Sequence, residues 1–313
     1  MNRIRSDRGQ ATVLTVIFMV ALLGAVAMVL DVGSWFREQR DTQADADAAA
    51  LAAAQVLPDA PGASTALAHQ YLDKNQHGAS RQITFSSSTV ANDTVTVEVD
   101  RDAPGFFSKL FGINSVNVQA RATARAGGID AAKWVAPIVV NIKHEKLNCG
   151  NANGKPVPCF GQETEIELAH LHQPGSGDAA GAFGLINLDL GETGSVGSST
   201  LGDWITTGFD QYMPLGIYNS VPSSMFNSTH VKSALAGRLQ DTLLFPIYKT
   251  ITESGSSAEY DIVGWVGFKV SSFKATGSTG KVHGSFTKVI WEGIQSETGN
   301  NLNYGTHTIQ LVE

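Results

Sequence analysis

A chain of 313 residues has room for a membrane anchor and about two compact domains of ~100 to 200 residues each. Charged residues make up only 16% and the net charge is −7, with no basic block beyond the first nine residues, which excludes a nucleic-acid surface. The last two thirds crowds Ser, Thr, Gly and Asn between short apolar runs, which predicts a β-rich domain rather than a helical bundle.

The first element is an uncharged apolar run from Ala11 to Leu30. As a helix rising ~1.5 Å per residue it crosses the ~30 Å hydrocarbon layer, so the lipid bilayer is its expected partner. Arg3, Arg5 and Arg8 precede the run and Asp31 closes it, which predicts a cytoplasmic amino terminus and an extracytoplasmic remainder. A cleaved signal peptide is the rival reading, because Ala25-Val26-Ala27 offers a processing site, but the run exceeds the usual h-region of about 7 to 15 residues. A pilin-type leader ending at Gly9 would be followed by a glutamate where Leu14 stands.

From Trp35 to Leu57 the chain is rich in Ala, Gln, Glu and Arg, and the helix is expected to run on until Pro58 stops it. Trp35 and Phe36 fall where amphipathic rings prefer the outer membrane interface. Small residues at Ala21, Gly24 and Ala25 in the span, and the Ala run from Ala46 to Ala54 beyond it, with Ala48, Leu51 and Ala52 as its packing positions, offer faces for close helix packing. Two readings stay open for the Ala run: docking on a partner helix, or packing on the chain's own domain. Asp41, Asp45 and Asp47 read as a solvated face.

The order Gly9-Gln10, apolar span, Leu30-Asp31-Val32-Gly33, Arg40, Gln43, then Ala46-Asp47-Ala48-Ala49-Ala50-Leu51-Ala52 resembles the amino-terminal signature of the TadE/TadG-like family of Flp pilus-assembly proteins. The resemblance covers roughly the first 55 residues, with Asp31, Gly33, Gln43 and Asp47 as its polar and glycine marks. It implies a single-pass, non-enzymatic envelope protein that helps to build or anchor a pilus, with other membrane or pilus-assembly proteins as partners. The Asp-x-Ser-x-Ser run of the von Willebrand A domain found in larger members is missing: neither Asp31-Val32-Gly33-Ser34 nor Asp189-Leu190-Gly191-Glu192 fits it.

After a break at Pro58 to Gly62, Ser64 is the expected cap of a second helix carrying Leu67, Tyr71 and Leu72. Strands are expected at Ile83 to Ser87 and Thr94 to Val99 around an Asn92-Asp93 turn, then a short apolar helix from Pro104 to Phe111, then alternation at Val116, Val118, Ala120 and Ala122. Long helix plus small sheet resembles a pilin head in architecture. Gly127-Gly128 marks the boundary to the third segment, dividing the chain into 1–57, 58–128 and 129–313.

The third segment should be mostly antiparallel β. Its clearest hairpin pairs Tyr260 to Phe273 with Lys281 to Ile294, and Gly264, Gly267 and Gly284 within it suggest bulges or close backbone approach. One helix is expected after Ser228, with Val231, Leu235 and Leu239 on one face, and Pro246 should end or edge a strand. Cys149 and Cys159 stand close enough to form a disulfide on export, with two free buried thiols as the alternative. The fold class is therefore α+β: transmembrane helix, small head, antiparallel β domain.

Catalytic constellations are wanting. His170 and His172 could share a strand face but lack a third metal ligand, and Glu163, Glu165 and Glu167 read as a charged strand edge. Gly194-Ser195-Val196-Gly197 has Thr193 where the nucleophile elbow needs glycine, and Ser271 with Lys274 or Ser285 with Lys288 would face opposite sides of a sheet. No enzyme, cofactor or metal is expected. The leading expectation is a structural or scaffold component of the envelope. The alternative is a membrane-tethered module that binds a cell-wall glycan or peptide on Trp204, Tyr212, Tyr218, Trp265 and Trp291.

Overall fold

A computed structural model describes residues 8–75, 80–152, 155–168, 184–189, 196–252, 258–276, 279–297 and 304–312. They form an α+β protein that divides into two compact units: Met1–Arg125 with Gln310–Glu313, and Ala126–Ile309. The long helix therefore counts with the small head rather than as a segment of its own, and the end of the chain rejoins the first unit.

In the first unit α1 runs from Arg8 to Ala54, 47 residues that extend about 70 Å. It ends three residues earlier than expected, in a turn ahead of Pro58. Helix α2 spans Pro61–Asn75, so Ser64 is not its cap: Pro61, whose fixed φ suits the first helical turn, starts it, and Ser64 lies buried inside. Ser64, Ala68 and Leu72, four residues apart, put one buried stripe of α2 against α1.

Strands β1 (Ser80–Ser86), β2 (Thr94–Pro104) and β3 (Ser115–Gly127) follow in antiparallel order. Asp93 organises the β1–β2 turn, its carboxylate accepting the backbone N–H of Ser88, Thr89 and Val90 at 2.8, 2.7 and 2.8 Å. The register sets Val95, Val97 and Val99 opposite Ala124, Ala122 and Ala120, all buried. Large side chains on β2 and alanines on β3 fill one face of the sheet without crowding it, and β2 packs on α1. The apolar loop after β2 holds only a short 3-10 turn, Ser108–Phe111, rather than a helix from Pro104.

The second unit is mostly β. Strands β4 (Ile129–Ala132), β5 (Val140–Asn141), β6 (Gly150–Ala152), β7 (Lys155–Val157) and β8 (Glu163–Glu167) precede helix α3 (Ser198–Thr206). Strands β9 (Met213–Pro214) and β10 (Gly216–Asn219) precede α4 (Thr229–Gly237). Then come β11 (Thr242–Thr252), β12 (Glu259–Thr276), β13 (Thr279–Thr287), β14 (Val289–Ile290), β15 (Gly293–Gln295) and β16 (Thr306–Val312). The central sheet has the order β5-β11-β12-β13-β8, with β10 also on β12.

Both faces of that sheet are covered. One carries Phe245 stacked on Phe268, with Phe286 edge-on, together with Leu201 and Ile205 of α3 and Val231 and Leu235 of α4. The other carries Trp265 and the edge-to-face pair Tyr248 and Tyr260.

Four expectations need correcting here. The β12–β13 hairpin stops at Thr287; beyond it Val289 and Ile290 pair in parallel with β16, and Gly293–Gln295 pairs with β4. Two helices interrupt the β unit, not one, and Leu239 lies beyond α4, partly exposed. Pro246 sits inside β11 opposite Trp265, tolerated because on its other side β11 pairs only in short stretches, at Leu244 and at Ile247–Tyr248. Gly284, by contrast, stands as expected at a close backbone approach: an added Cβ would lie 2.0 Å from the Lys269 carbonyl oxygen, beside the bulge at Ser271.

Candidate functional site

The functional geometry belongs to the long helix. From Ala11 to Leu30 almost every side chain of α1 is exposed, Leu14, Phe18, Leu23 and Val29 among them, and the helix has the length and apolarity to cross a membrane. Exposure on that scale is unstable in water and leaves this half of the helix for a nonpolar surrounding.

At Asp31 the character changes within one residue. Asp31 is 2% exposed although it follows twenty uncharged positions of which all but Ala27 are exposed. Its carboxylate accepts the backbone N–H of Phe106 (3.0 Å), Phe107 (2.9 and 3.2 Å) and Ser108 (2.5 Å), from a loop some 75 residues further on. A lone buried carboxylate would be costly, whereas three amide donors supply it with charge-assisted hydrogen bonds.

Above Asp31 the same face of α1 repeats the device at helical spacing. Trp35 donates its indole N–H to the Pro104 carbonyl at 3.3 Å, and Glu38 forms an ion pair with Arg101 of β2. Gln39 Nε2 donates to the Gln119 carbonyl at 2.6 Å, and Gln43 Nε2 donates both to the Arg121 carbonyl at 2.9 Å and to Asp47 Oδ1 at 2.8 Å. Thr42, Ala46, Ala49, Ala50 and Ala53 complete the stripe, fully buried. Polar teeth thus fix the lower part of the seam and methyl contacts its upper part, all on the head of the same chain.

Of the residues singled out by sequence, Asp31, Gln43 and Asp47 come together in this seam. Gly33 does not: it is exposed and an added Cβ would meet nothing within 4 Å. Ala21, Gly24 and Ala25 lie exposed on the apolar half, and Gly24 likewise has open space around it. Ala52 is buried in the head's own core while Ala48 and Leu51 are half-buried, so at Ala52 the chain's own domain takes the surface that partner docking would need. Sequence reasoning missed Thr42, Glu38, Gln39 and the 106–108 loop. The spacing 31, 35, 38/39, 42, 46, 49/50, 53 would have pointed to the helix residues, but nothing local pointed to the loop.

In the second unit Cys149 and Cys159 are joined as a disulfide, with Cα atoms 5.6 Å apart around the β6–β7 hairpin. The proposed aromatic platform is not a surface: Tyr218 and Trp265 are buried, Trp204 and Trp291 are half-buried against the core, and Tyr212 alone of the five presents its ring to solvent. Glu165 on edge strand β8 pairs with Lys281 at 2.5 Å and with His283 at 3.4 Å, and its hydrogen bond raises the Lys281 pKa. His170 and His172 lie outside the described residues. Among the described residues no group of three or more His, Cys, Asp or Glu is placed to hold a metal ion.

Residues 9–56 match the Tad family, described as Flp pilus-assembly TadE/G-like, a match that covers the apolar span and the seam and runs two residues past the end of α1. No curated protein and no solved structure matched the chain. The family match and the apolar helix together support a membrane-anchored protein related to the Flp/Tad pilus.

Proposed function

We propose that this chain is a structural component of the bacterial envelope, a scaffold for Flp/Tad-type pilus assembly that holds its folded units at the outer face of the cytoplasmic membrane. The observation that carries the reading is the seam: residues of the Tad-type segment that leave the apolar span at once grip the head, as a part built to hold a domain at fixed height would do. Arg3, Arg5 and Arg8 favour a cytoplasmic amino terminus. A disulfide favours an oxidising compartment for the second unit. The role is non-enzymatic, and its partners are other membrane proteins of the pilus machinery, met through the exposed face of α1 around Arg37, Arg40, Asp41 and Ala44.

Deleting the gene and counting surface pili by electron microscopy tests this. Loss of pili, restored by the wild-type gene, is expected; unchanged piliation overturns the scaffold role. An alkaline phosphatase reporter fused after Glu313 should be active, and an inactive one would refute the orientation. Binding of cell-wall material is the second reading, and with four of its five aromatics turned inward it has less to rest on.

A further inference from the structure

The loop that Asp31 holds is itself unusual. Between the end of β2 at Pro104 and the start of β3 at Ser115 it shows solvent Phe106 (65% exposed), Phe107 (42%), Leu110 (83%), Phe111 (78%) and Ile113 (48%). A soluble domain rarely leaves five large apolar side chains together on one short loop.

Its position explains them. The twenty residues from Ala11 to Leu30 match a hydrocarbon layer of ~30 Å, which places Asp31 at the edge of the lipid. Contacts down the hairpin step toward that edge in order: Gln43 meets Arg121, Gln39 meets Gln119, Glu38 meets Arg101, Trp35 meets Pro104, and Asp31 meets Phe106 to Ser108. The β2–β3 hairpin therefore runs alongside the rod with its tip at the membrane end. The amides of the tip are fixed within 3.2 Å of the Asp31 carboxylate. Exposed Phe36 on α1 adds to the same apolar belt, and Lys109 sits in the loop where an ammonium can reach lipid phosphates.

We propose that the 105–113 loop is a second membrane contact, its Phe and Leu side chains seated among the headgroups and upper acyl chains of the leaflet from which α1 emerges. The occupant is lipid because the patch is continuous with the lipid-exposed half of α1 and is pinned to it by Asp31. Two contacts, one spanning and one interfacial, would fix the tilt of the head as well as its height. The inference rests on the membrane-anchor reading.

The test uses the full chain, with its native disulfide intact, in phosphatidylcholine–phosphatidylglycerol vesicles. Phe111→Cys, Ala91→Cys and Leu22→Cys are each labelled with the fluorophore NBD; Ala91 lies exposed in the β1–β2 turn at the far end of the hairpin and Leu22 lies mid-span. Position 111 is itself exposed, so the fold tolerates the label. Blue-shifted emission at position 111, quenched by lipids bearing a nitroxide near the headgroup, is expected, with neither effect at position 91 and quenching by deep nitroxides at position 22. A label at 111 that behaves like that at 91 overturns the proposal. So does one shielded from aqueous iodide yet insensitive to nitroxide lipids, because a protein would then cover the loop. Quenching at 22 but not at 111 sinks the loop contact alone, whereas no quenching at 22 sinks the anchor and the loop with it.

Discussion

Replacing Asp31 by alanine should release the tip of the β2–β3 hairpin from the rod while leaving the head folded. Three backbone amides, those of Phe106, Phe107 and Ser108, lose a shared ionised acceptor at 2.5 to 3.2 Å. Loss of one charge-assisted hydrogen bond shifts a local opening equilibrium by roughly tenfold or more. With three lost and some recovered by water, exchange of these amides should quicken on the order of 100-fold. Hydrogen exchange read by mass spectrometry on the protein in lipid nanodiscs reports this directly, with the peptide over β2 at Val95–Val99 as the internal reference. Asp31→Asn should fall between, because its amide keeps one acceptor oxygen and presents N–H to the remaining donors. Unchanged protection at residues 106–108 in Asp31→Ala would refute the clamp.

The seam predicts a contrast between neighbouring alanines: Ala50→Leu, fully buried, should cost about 1–3 kcal/mol by overpacking, whereas Ala44→Leu on the exposed face should stay within about 0.5 kcal/mol in denaturant titration. Replacing Cys149 and Cys159 together by serine opens a loop of sequence separation 10 and should destabilise the second unit by about 3 kcal/mol, seen as a lower urea midpoint that reductant no longer moves. Burial alone would raise the Asp93 pKa, but the N–H groups of Val90, Ser88 and Thr89 and the Thr94 hydroxyl prevail and hold it below the usual carboxylate range. Its stabilisation is complete above the unfolded value of about 3.9 and is lost as pH falls through the depressed folded one. Acid unfolding of the head followed by circular dichroism should therefore be less steep in Asp93→Asn.

The apolar span, the strands of the head and the β12–β13 hairpin were legible in sequence because each is encoded by neighbours: charge-free length, alternation, turn residues. The family signature was legible as a pattern but not as a mechanism, since the groups that Asp31 serves are some 75 residues away. The alanine run was ambiguous in principle, because alanine favours helix and close packing alike; only the fold shows Ala46, Ala49, Ala50 and Ala53 spent on the head. Helix α3 escaped notice because Gly197 offers no capping side chain and Gly202 reads as a breaker. That glycine lets α3 approach α4, where a Cβ would stand 3.2 Å from the His230 carbonyl. The aromatics were misjudged for a related reason: whether Trp265 faces solvent or core depends on a sheet covered on both faces, which periodicity within one strand does not reveal.

The central claim is that a lipid-embedded helix and the head it carries move as one body. Spin labels at Val13→Cys, exposed on the apolar half of α1, and Leu110→Cys, exposed at the tip of the β2–β3 hairpin, report it by double electron–electron resonance in proteoliposomes. A single narrow distance distribution that broadens in Asp31→Ala is the predicted result; a broad distribution in the wild-type background, unaltered by that substitution, would contradict it.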